Sequence, residues 1–371
     1  MIRVLYLIDS LKQRFGVTSV VMNYFRNIDP NEVRIDIVCY PDSEESIVNE
    51  IKSRGSNIFF MPKLGIKNIA SFRRFYKDLF KKEYYDVVHS HFNQIDAIVF
   101  PIAKQYGIKH CISHSHNTKY SDYIFRSIRN WAMCLPLKYV ADTWGACSIL
   151  AGKFLYGKSF INSPKALVIN NAIDYAKFSY NKSIREKVRT EFGFKDEIVL
   201  GNVGSLKIQK NHTFLLDIFN HLIKNTNSSG RYKLLIAGDG PLADELKLKS
   251  KKLGICEHII WAGVRNDVNE LLQGMDIFLL PSLYEGLPVI GIEAQASGIP
   301  CLFSDTITRE VDICNVNFIP ITNGPEIWIS KIKDVSFNIR QDVSEIFSAK
   351  RYNISEEGKR IAEYYKKCSK C

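Results

Sequence analysis

The chain has no run of about 18 apolar residues, the length that a membrane-spanning helix requires. It also shows no leader. Met1 to Asp9 is a short apolar run that meets an acidic residue at once, without a long apolar core or a small-residue cleavage site. The expectation is a cytoplasmic protein, soluble or peripheral on the inner face of the plasma membrane. The nine cysteines lack regular spacing, and their odd number argues against a disulfide framework and for a reducing compartment. Cys39, Cys111, Cys147 and Cys301 fall in or beside apolar runs, where a thiol acts as a small hydrophobe. Cys368 and Cys371 form a C-x-x-C with no second pair at zinc-like spacing, and read as a frayed tail. Short repeats and low-complexity segments are missing. The G-x-G-x-x-G fingerprint is missing too: only Gly16 stands near the first turn, so a nicotinamide dinucleotide reading is weak.

What is present bounds the answer further. A length of 371 residues suits two domains of about 150 residues each. Hydrophobic content of 46%, with 18 Tyr and 22 Phe, supplies two cores and excludes disorder. The net charge of +11 calls for an anionic partner. Nucleic acid, an anionic bilayer and a nucleoside diphosphate all qualify, but no nucleic-acid recognition motif is present.

Apolar runs of strand length alternate with helical spacing along the chain, which implies parallel, doubly wound sheets with right-handed crossovers. Arg3 to Ile8 reads as a first buried strand, followed by a loop and a helix carrying Val17, Val20, Val21, Tyr24 and Phe25. Ser121 to Tyr139 reads as one long helix, and the polar stretch Asn181 to Asp196 as a connection between domains. A second strand series begins at Ile198 to Val203. Ile354 to Cys368 reads as a final helix with Ile361, Ala362, Tyr364 and Tyr365 inward.

One stretch organises the rest. Asp276 to Leu280 is a buried strand, Gly286 and Pro288 break the chain, and Ile290 to Ser297 reads as a short helix closed by Gly298 and Pro300. Glu285 then lies in a loop after a strand, and Glu293 about two turns into the next helix. In an open α/β sheet such a loop faces the ligand crevice. Two carboxylates beside a helix N-terminus suit a ligand with hydroxyls and an anion. Upstream, Gly201 to His212 forms a glycine-bearing turn followed by Lys210 and Asn211, with Asn211 placed to cap a helix. Gly238-Asp239-Gly240-Pro241 is a further turn between strand and helix.

These motifs, with Asn170 to Asp174 and Phe178, resemble those of the retaining, GT-B-fold glycosyltransferases of family four. The resemblance spans essentially the whole chain and is strongest from Gly201 to Asp305. It implies a GT-B architecture of two Rossmann-like, doubly wound domains facing across a cleft. Residues 1–178 would be the acceptor-side domain, 179–351 the nucleotide-sugar domain, and 352–371 would pack back on the first. By the same resemblance Lys210 grips the donor diphosphate, Glu285 lies over the transferred sugar and Glu293 bonds the ribose hydroxyls. Gly204, Ser205, Lys207, Gly286, Leu287 and Gly16 line the donor. Arg265 reads as a surface residue.

The first domain carries two H-x-H pairs, His89/His91 and His114/His116. Imidazoles two apart on a strand share a face, so a zinc site is geometrically open. The resemblance implies substrate-facing roles instead, with His116 near the C6 side of the donor sugar and His114 as its register alternative. His91, Asn93 and His114 then serve the acceptor side. No metal and no cofactor is expected beyond the nucleotide sugar. The segments V-M-N-Y-F-R-N-I-D and H-S-H-N-T look like enzymes of capsule and exopolysaccharide assembly, whose acceptors are glycans on a polyprenyl lipid. Basic, aromatic stretches at 68–85 and 123–138 would suit an anionic membrane surface, or form two ordinary helices with solvated basic faces. The chain departs from the family pattern at Ser205, usually arginine, and at Phe15, usually glycine. Alternatives are therefore a weakly active or non-catalytic GT-B partner subunit and, among enzymes, a sugar-nucleotide epimerase.

Overall fold

Strands that run parallel are covered by their own crossover helices on both faces, so they need continuous apolar sequence rather than alternation. Val4–Leu7 and Ile277–Leu280 meet that need and are buried throughout. The computed structural model describes all residues except 13–15, 122, 225–229, 315, 337–339, 341 and 371. The expectations for Phe15 and Cys371 therefore lie outside the described residues.

Two sheets form, parallel at every described pairing. The first contains β1 (Ile2–Leu7), β2 (Val33–Cys39), β3 (Ile58–Phe60), β4 (Val87–Ser90), β5 (His110–Ser115), β6 (Thr143–Ala146) and β7 (Ala166–Val168), in the order β3-β2-β1-β4-β5-β6-β7. The second contains β8 (Ile198–Val203), β9 (Tyr232–Ala237), β10 (Ile259–Gly263), β11 (Ile277–Leu280), β12 (Cys301–Ser304) and β13 (Asn317–Ile319), in the order β10-β9-β8-β11-β12-β13. Between them run α1 (Gly16–Asn27), α2 (Glu45–Ser53), α3 (Ile69–Lys82), α4 (Asn93–Gln105), α5 (Ile124–Cys134), α6 (Leu137–Val140) and α7 (Ile149–Tyr156) in the first half. The second half holds α8 (Tyr175–Phe178), α9 (Lys182–Glu191), α10 (His212–Lys224), α11 (Ala243–Leu253), α12 (Val268–Gly274), α13 (Val289–Ala296), α14 (Glu326–Asp334) and α15 (Ser344–Ala349), and α16 (Ile354–Cys368) ends the chain. Met1–Ala172 together with the chain from Asn353 onward forms one compact unit, and Ile173–Tyr352 the other. This is the two-domain, doubly wound α/β architecture of the GT-B class. Among the described residues no helix is long and apolar enough to cross a membrane.

Each unit has its own core. In the second, Ile198 and Leu200 of β8 pack with Leu215, Phe219 and Leu222 of α10 and Trp328 of α14. Each such side chain contributes about 1.5–3 kcal/mol of burial. In the first, α16 lies against α1 and β1. Tyr365 is fully buried and shares a 2.9 Å hydrogen bond with Tyr6, and Tyr364 Oη lies 2.6 Å from Thr143 Oγ1.

Two elements differ from the sequence reading. The helix expected over 121–139 is broken into α5 and α6, with Pro136 between them. Proline lacks an amide hydrogen and its ring crowds the preceding turn, which kinks or breaks a helix, and at Pro136 the helix breaks. The stretch 181–196, read as a connection, contains α9. Asn181 caps it through Oδ1 to the Ile184 amide at 3.2 Å. Arg185 and Arg189 then clamp both oxygens of Asp276, the residue before β11. α9 buries only Val188, so its attachment is ionic and an apolar pattern could not reveal it.

Candidate functional site

In both sheets the strand order reverses next to the first strand of the unit, between β1 and β4 and between β8 and β11. Loops leaving the carboxyl ends of the strands on either side of such a switch point diverge, and ligands bind where they part. In the second unit these are the loops Gly204–Asn211 and Pro281–Pro288. The sequence motifs singled out above lie on them.

The first loop is laced to the turn after β9. Leu206 donates its amide to the Asp239 carbonyl at 3.0 Å and accepts from the Leu242 amide at 3.1 Å. The two glycines of Gly238-Asp239-Gly240 allow this approach. A Cβ on Gly238, at φ +134°, would stand 1.9 Å from the Gly204 oxygen, and one on Gly240 2.5 Å from the Leu206 oxygen. Ser205 and Lys207 sit half-buried on this loop. It tightens into a 3-10 turn, Ile208–Lys210, and Asn211 follows in the left-handed region at φ 53°.

This turn aims three side chains at the second loop. Lys210 Nζ donates to Glu285 Oε1 at 2.7 Å. Gln209 Nε2 donates to Glu285 Oε2 at 3.2 Å and to the Tyr284 carbonyl at 3.1 Å. Asn211 Nδ2 donates to the Pro281 carbonyl at 3.1 Å, so its side chain ties the loops together and does not cap α10 as expected. The Lys210 and Glu285 side chains are only 13% and 8% exposed. In such a site the pair's attraction is strong and so is the cost of stranding either member. The ammonium spends one of its three donors on Glu285.

Gly286 and Leu287 are buried, and Pro288 sits at the N-cap of α13 without an amide to offer. Glu293 lies on α13, half-buried, and its carboxylate has no hydrogen bond among the described residues. Burial pushes that carboxyl up to about 7, and Lys177 of α8 opposes the shift. Below α10, buried His212 pairs with Asn202 through Nε2 at 2.8 Å, and the Asn202 amide donates to the Leu279 carbonyl at 2.7 Å. The two loops therefore spring from strands locked together beneath them. Arg265 is paired with Asp267 and Glu191.

In the first unit, β4 and β5 bring four histidines together. His89 stacks on His91 at 4.3 Å and His114 on His116 at 4.1 Å between ring centres. His89 Nε2 is 3.2 Å from His114 Nδ1, and His91 Nδ1 is 2.9 Å from His116 Nε2. His89 Nδ1 bonds the Tyr365 hydroxyl at 2.6 Å. Burial depresses the basicity of all four rings, His116 to about 3. Asn93 turns inward: its amide donates to Ser113 Oγ at 2.9 Å and to the His114 carbonyl at 3.2 Å. Gly16 is the exposed first residue of α1.

Lys210, Glu285, Ser205, Lys207 and Gly204 thus share one pair of loops in the second unit, with Glu293 on the helix that follows. His91, His114 and His116 share one cluster in the first, and Asn93 supports it. Sequence reasoning missed Gln209, which fixes the second oxygen of Glu285, although it adjoins Lys210 on the turn. It placed His89 only in the zinc alternative, as half of an H-x-H pair, and gave it no part in the substrate site. It read Tyr365 as core only, because nothing local shows that a helix 276 residues away reaches β4.

Comparison with known proteins identifies the family and the fold. The profile of the family described as "Glycosyl transferases group 1" matches residues 184–318. A Bacillus subtilis protein named glycosyltransferase EpsF is 32% identical over 84% of this chain and 81% of its own length. The UDP-Gal:alpha-D-GlcNAc-diphosphoundecaprenol alpha-1,3-galactosyltransferase of Escherichia coli is 28% identical over 78% and 76%. Among solved structures, Anabaena HepE in complex with UDP and glucose superposes with a TM-score of 0.78 at 15% identity, covering 98% of this chain and 99% of that one.

Proposed function

The chain belongs to the group 1 glycosyl transferases, and from that premise we propose that it moves a hexosyl group from a nucleoside-diphosphate sugar to a glycan acceptor on a polyprenyl lipid, in exopolysaccharide or capsule synthesis at the inner face of the plasma membrane. The observation that carries this reading is the shielded Lys210–Glu285 pair at the switch point of the second unit. The relative that acts on a diphosphoundecaprenol-linked sugar supports the acceptor class, and the neighbour solved with UDP and glucose supports the donor class.

In this mechanism the bond between the anomeric carbon and the donor phosphate breaks, and its electron pair leaves with the nucleoside diphosphate. The Lys210 ammonium stands against that developing charge, in the role a divalent cation has elsewhere. Lys207 and the Ser205 hydroxyl add donors from the same loop, with Gly204 giving room for the phosphates. Gly286 and Leu287 meet the sugar hydroxyls, Glu285 lies over the sugar, and Glu293 accepts from the ribose diol. The acceptor hydroxyl attacks from the face the phosphate leaves, which retains configuration. Its proton passes to a phosphate oxygen, so no protein base is assigned. In the first unit His91, His114 and Asn93 serve the acceptor.

A thermal-shift screen of nucleotide sugars in EDTA tests the donor claim directly. Selective binding at 100 times the dissociation constant stabilises a protein by about 2.7 kcal/mol. A clear shift is expected with at least one uridine- or guanosine-diphosphate sugar, and none at all would overturn the reading. With the donor identified, Lys210→Ala should lower turnover by about 10²–10³.

A further inference from the structure

Half of the chain's eight histidines meet at the carboxyl ends of β4 and β5. One ring nitrogen from each of His89, His91 and His114 lies within 4.8 Å of the other two. Hydrogen bonds inside the cluster do not use every nitrogen. The Nε2 atoms of His91 and His114 are both closed off from water and have no partner. A buried polar atom left unpaired costs about 1–3 kcal/mol. Two of them in one cluster of imidazoles indicate a missing ligand that takes nitrogen lone pairs.

The rings are prepared for such a ligand. In one consistent set of tautomers His89 donates from Nδ1 to the Tyr365 hydroxyl, and His91 donates from Nδ1 to His116. Both rings then carry the lone pair on Nε2. Histidines that bind metals are oriented in this way, by a partner on the other ring nitrogen. Tyr365 is itself held by the Tyr6 hydroxyl at 2.9 Å, so the orienting group is anchored in the core.

We propose that the first unit binds one divalent cation of the zinc class through His89, His91 and His114, with Tyr365 and His116 as positioning residues. Imidazole nitrogens suit zinc, copper or nickel and not magnesium or calcium, which take oxygen. Coordination at about 2.0–2.1 Å requires the three rings to turn inward from their present spacing. The binding does not rest on the transfer proposed above, because it concerns the first unit alone. A cation seated there would withdraw His91 and His114 from the acceptor.

The test uses untagged full-length protein, stripped with EDTA, dialysed and titrated with zinc by calorimetry. One equivalent should bind. His91→Ala/His114→Ala should lose at least about 100-fold in affinity, and Tyr365→Phe should lose about 10–100-fold. His258→Ala, outside the cluster, should match the wild type. Cobalt(II) gives a readout on the unmodified chain, whatever the folding of the variants: a tetrahedral nitrogen site shows intense visible bands that an octahedral ion lacks. Wild-type protein that takes up no metal, or keeps it in the double variant, or shows only octahedral cobalt, overturns the inference in favour of a closed histidine hydrogen-bond network.

Discussion

Glu293 combines a burial that raises its carboxyl to about 7 with a single opposing cation, Lys177. Near neutral pH the free protein therefore holds this group partly protonated. A ribose diol donates best to an ionised carboxylate. The donor must then pull a proton off Glu293 whenever the pH lies below 7, and that cost is about tenfold per pH unit. Affinity for UDP-glucose, whose diphosphate diester does not titrate in this range, should rise by on the order of tenfold between pH 6 and pH 8. Glu293→Gln should bind more weakly with little pH dependence. Calorimetry at the two pH values decides it, and equal slopes in both proteins would remove the ribose role. The positions of Glu285 in a loop and Glu293 on the next helix were legible in sequence because chain breakers at Gly286 and Pro288 fix where the loop ends and the helix begins. Gln209 and Tyr365 were not. Gln209 acts through a turn geometry that places a neighbouring side chain, and Tyr365 through a tertiary contact between the two ends of the first unit.

At the level of elements, α4 and β5 share a buried carboxyl. Asp96 stands in the first turn of α4, fully shut off from water, and accepts from Ser113 Oγ at 2.6 Å. A helix N-terminus favours negative charge, and the hydroxyl helps, but burial outweighs both and pushes this acid up to about 7. The ordinary value is 3.8. Between these values the folded chain keeps a proton that the unfolded chain has released, so stability falls as pH rises through the window and levels off above about 7. Asp96→Asn removes the titration. The stability of the variant relative to wild type should therefore grow from pH 5 to pH 8, by on the order of 2 kcal/mol. Denaturant melts at the two pH values measure this, and a constant difference would mean that Asp96 is not the group. Most elements were readable here because a parallel strand advertises itself as an uninterrupted apolar run. α9 was not, since its hold on Asp276 is made by two arginines. The break at Pro136 was available in the sequence and overruled by the long apolar pattern around it.

Across the whole molecule, the charge of +11 is distributed over surfaces of different kinds. α3 is an ordinary amphipathic helix, with Phe72, Tyr76, Leu79 and Phe80 buried and Arg73, Arg74, Lys81 and Lys82 outside. α5 is inverted. It buries only Asn130 and Cys134 and leaves Ile124, Phe125, Ile128 and Trp131 exposed, Phe125 by 85%. Leu135 and, at 86%, Tyr139 of α6 are exposed as well. Arg126, Arg129 and Lys138 are exposed in the same stretch. An apolar helix face ringed by cations is complementary to an anionic bilayer, where the rings sit at headgroup depth and each cation adds about 1 kcal/mol. This surface gives physical content to the peripheral membrane site in the proposed function. The full chain should co-sediment with phosphatidylglycerol-containing vesicles and much less with phosphatidylcholine alone, and added salt should weaken the binding. Arg126→Glu/Arg129→Glu should reduce it at least tenfold by the same charge arithmetic. Phe125→Ser/Ile128→Ser should reduce it while leaving the melting temperature in place, because neither side chain contributes to the core. A second copy of the chain is the competing occupant of this face. If the apolar variant dissolves a dimer seen by sedimentation while vesicle binding is unchanged, α5 is a subunit interface and the membrane assignment falls.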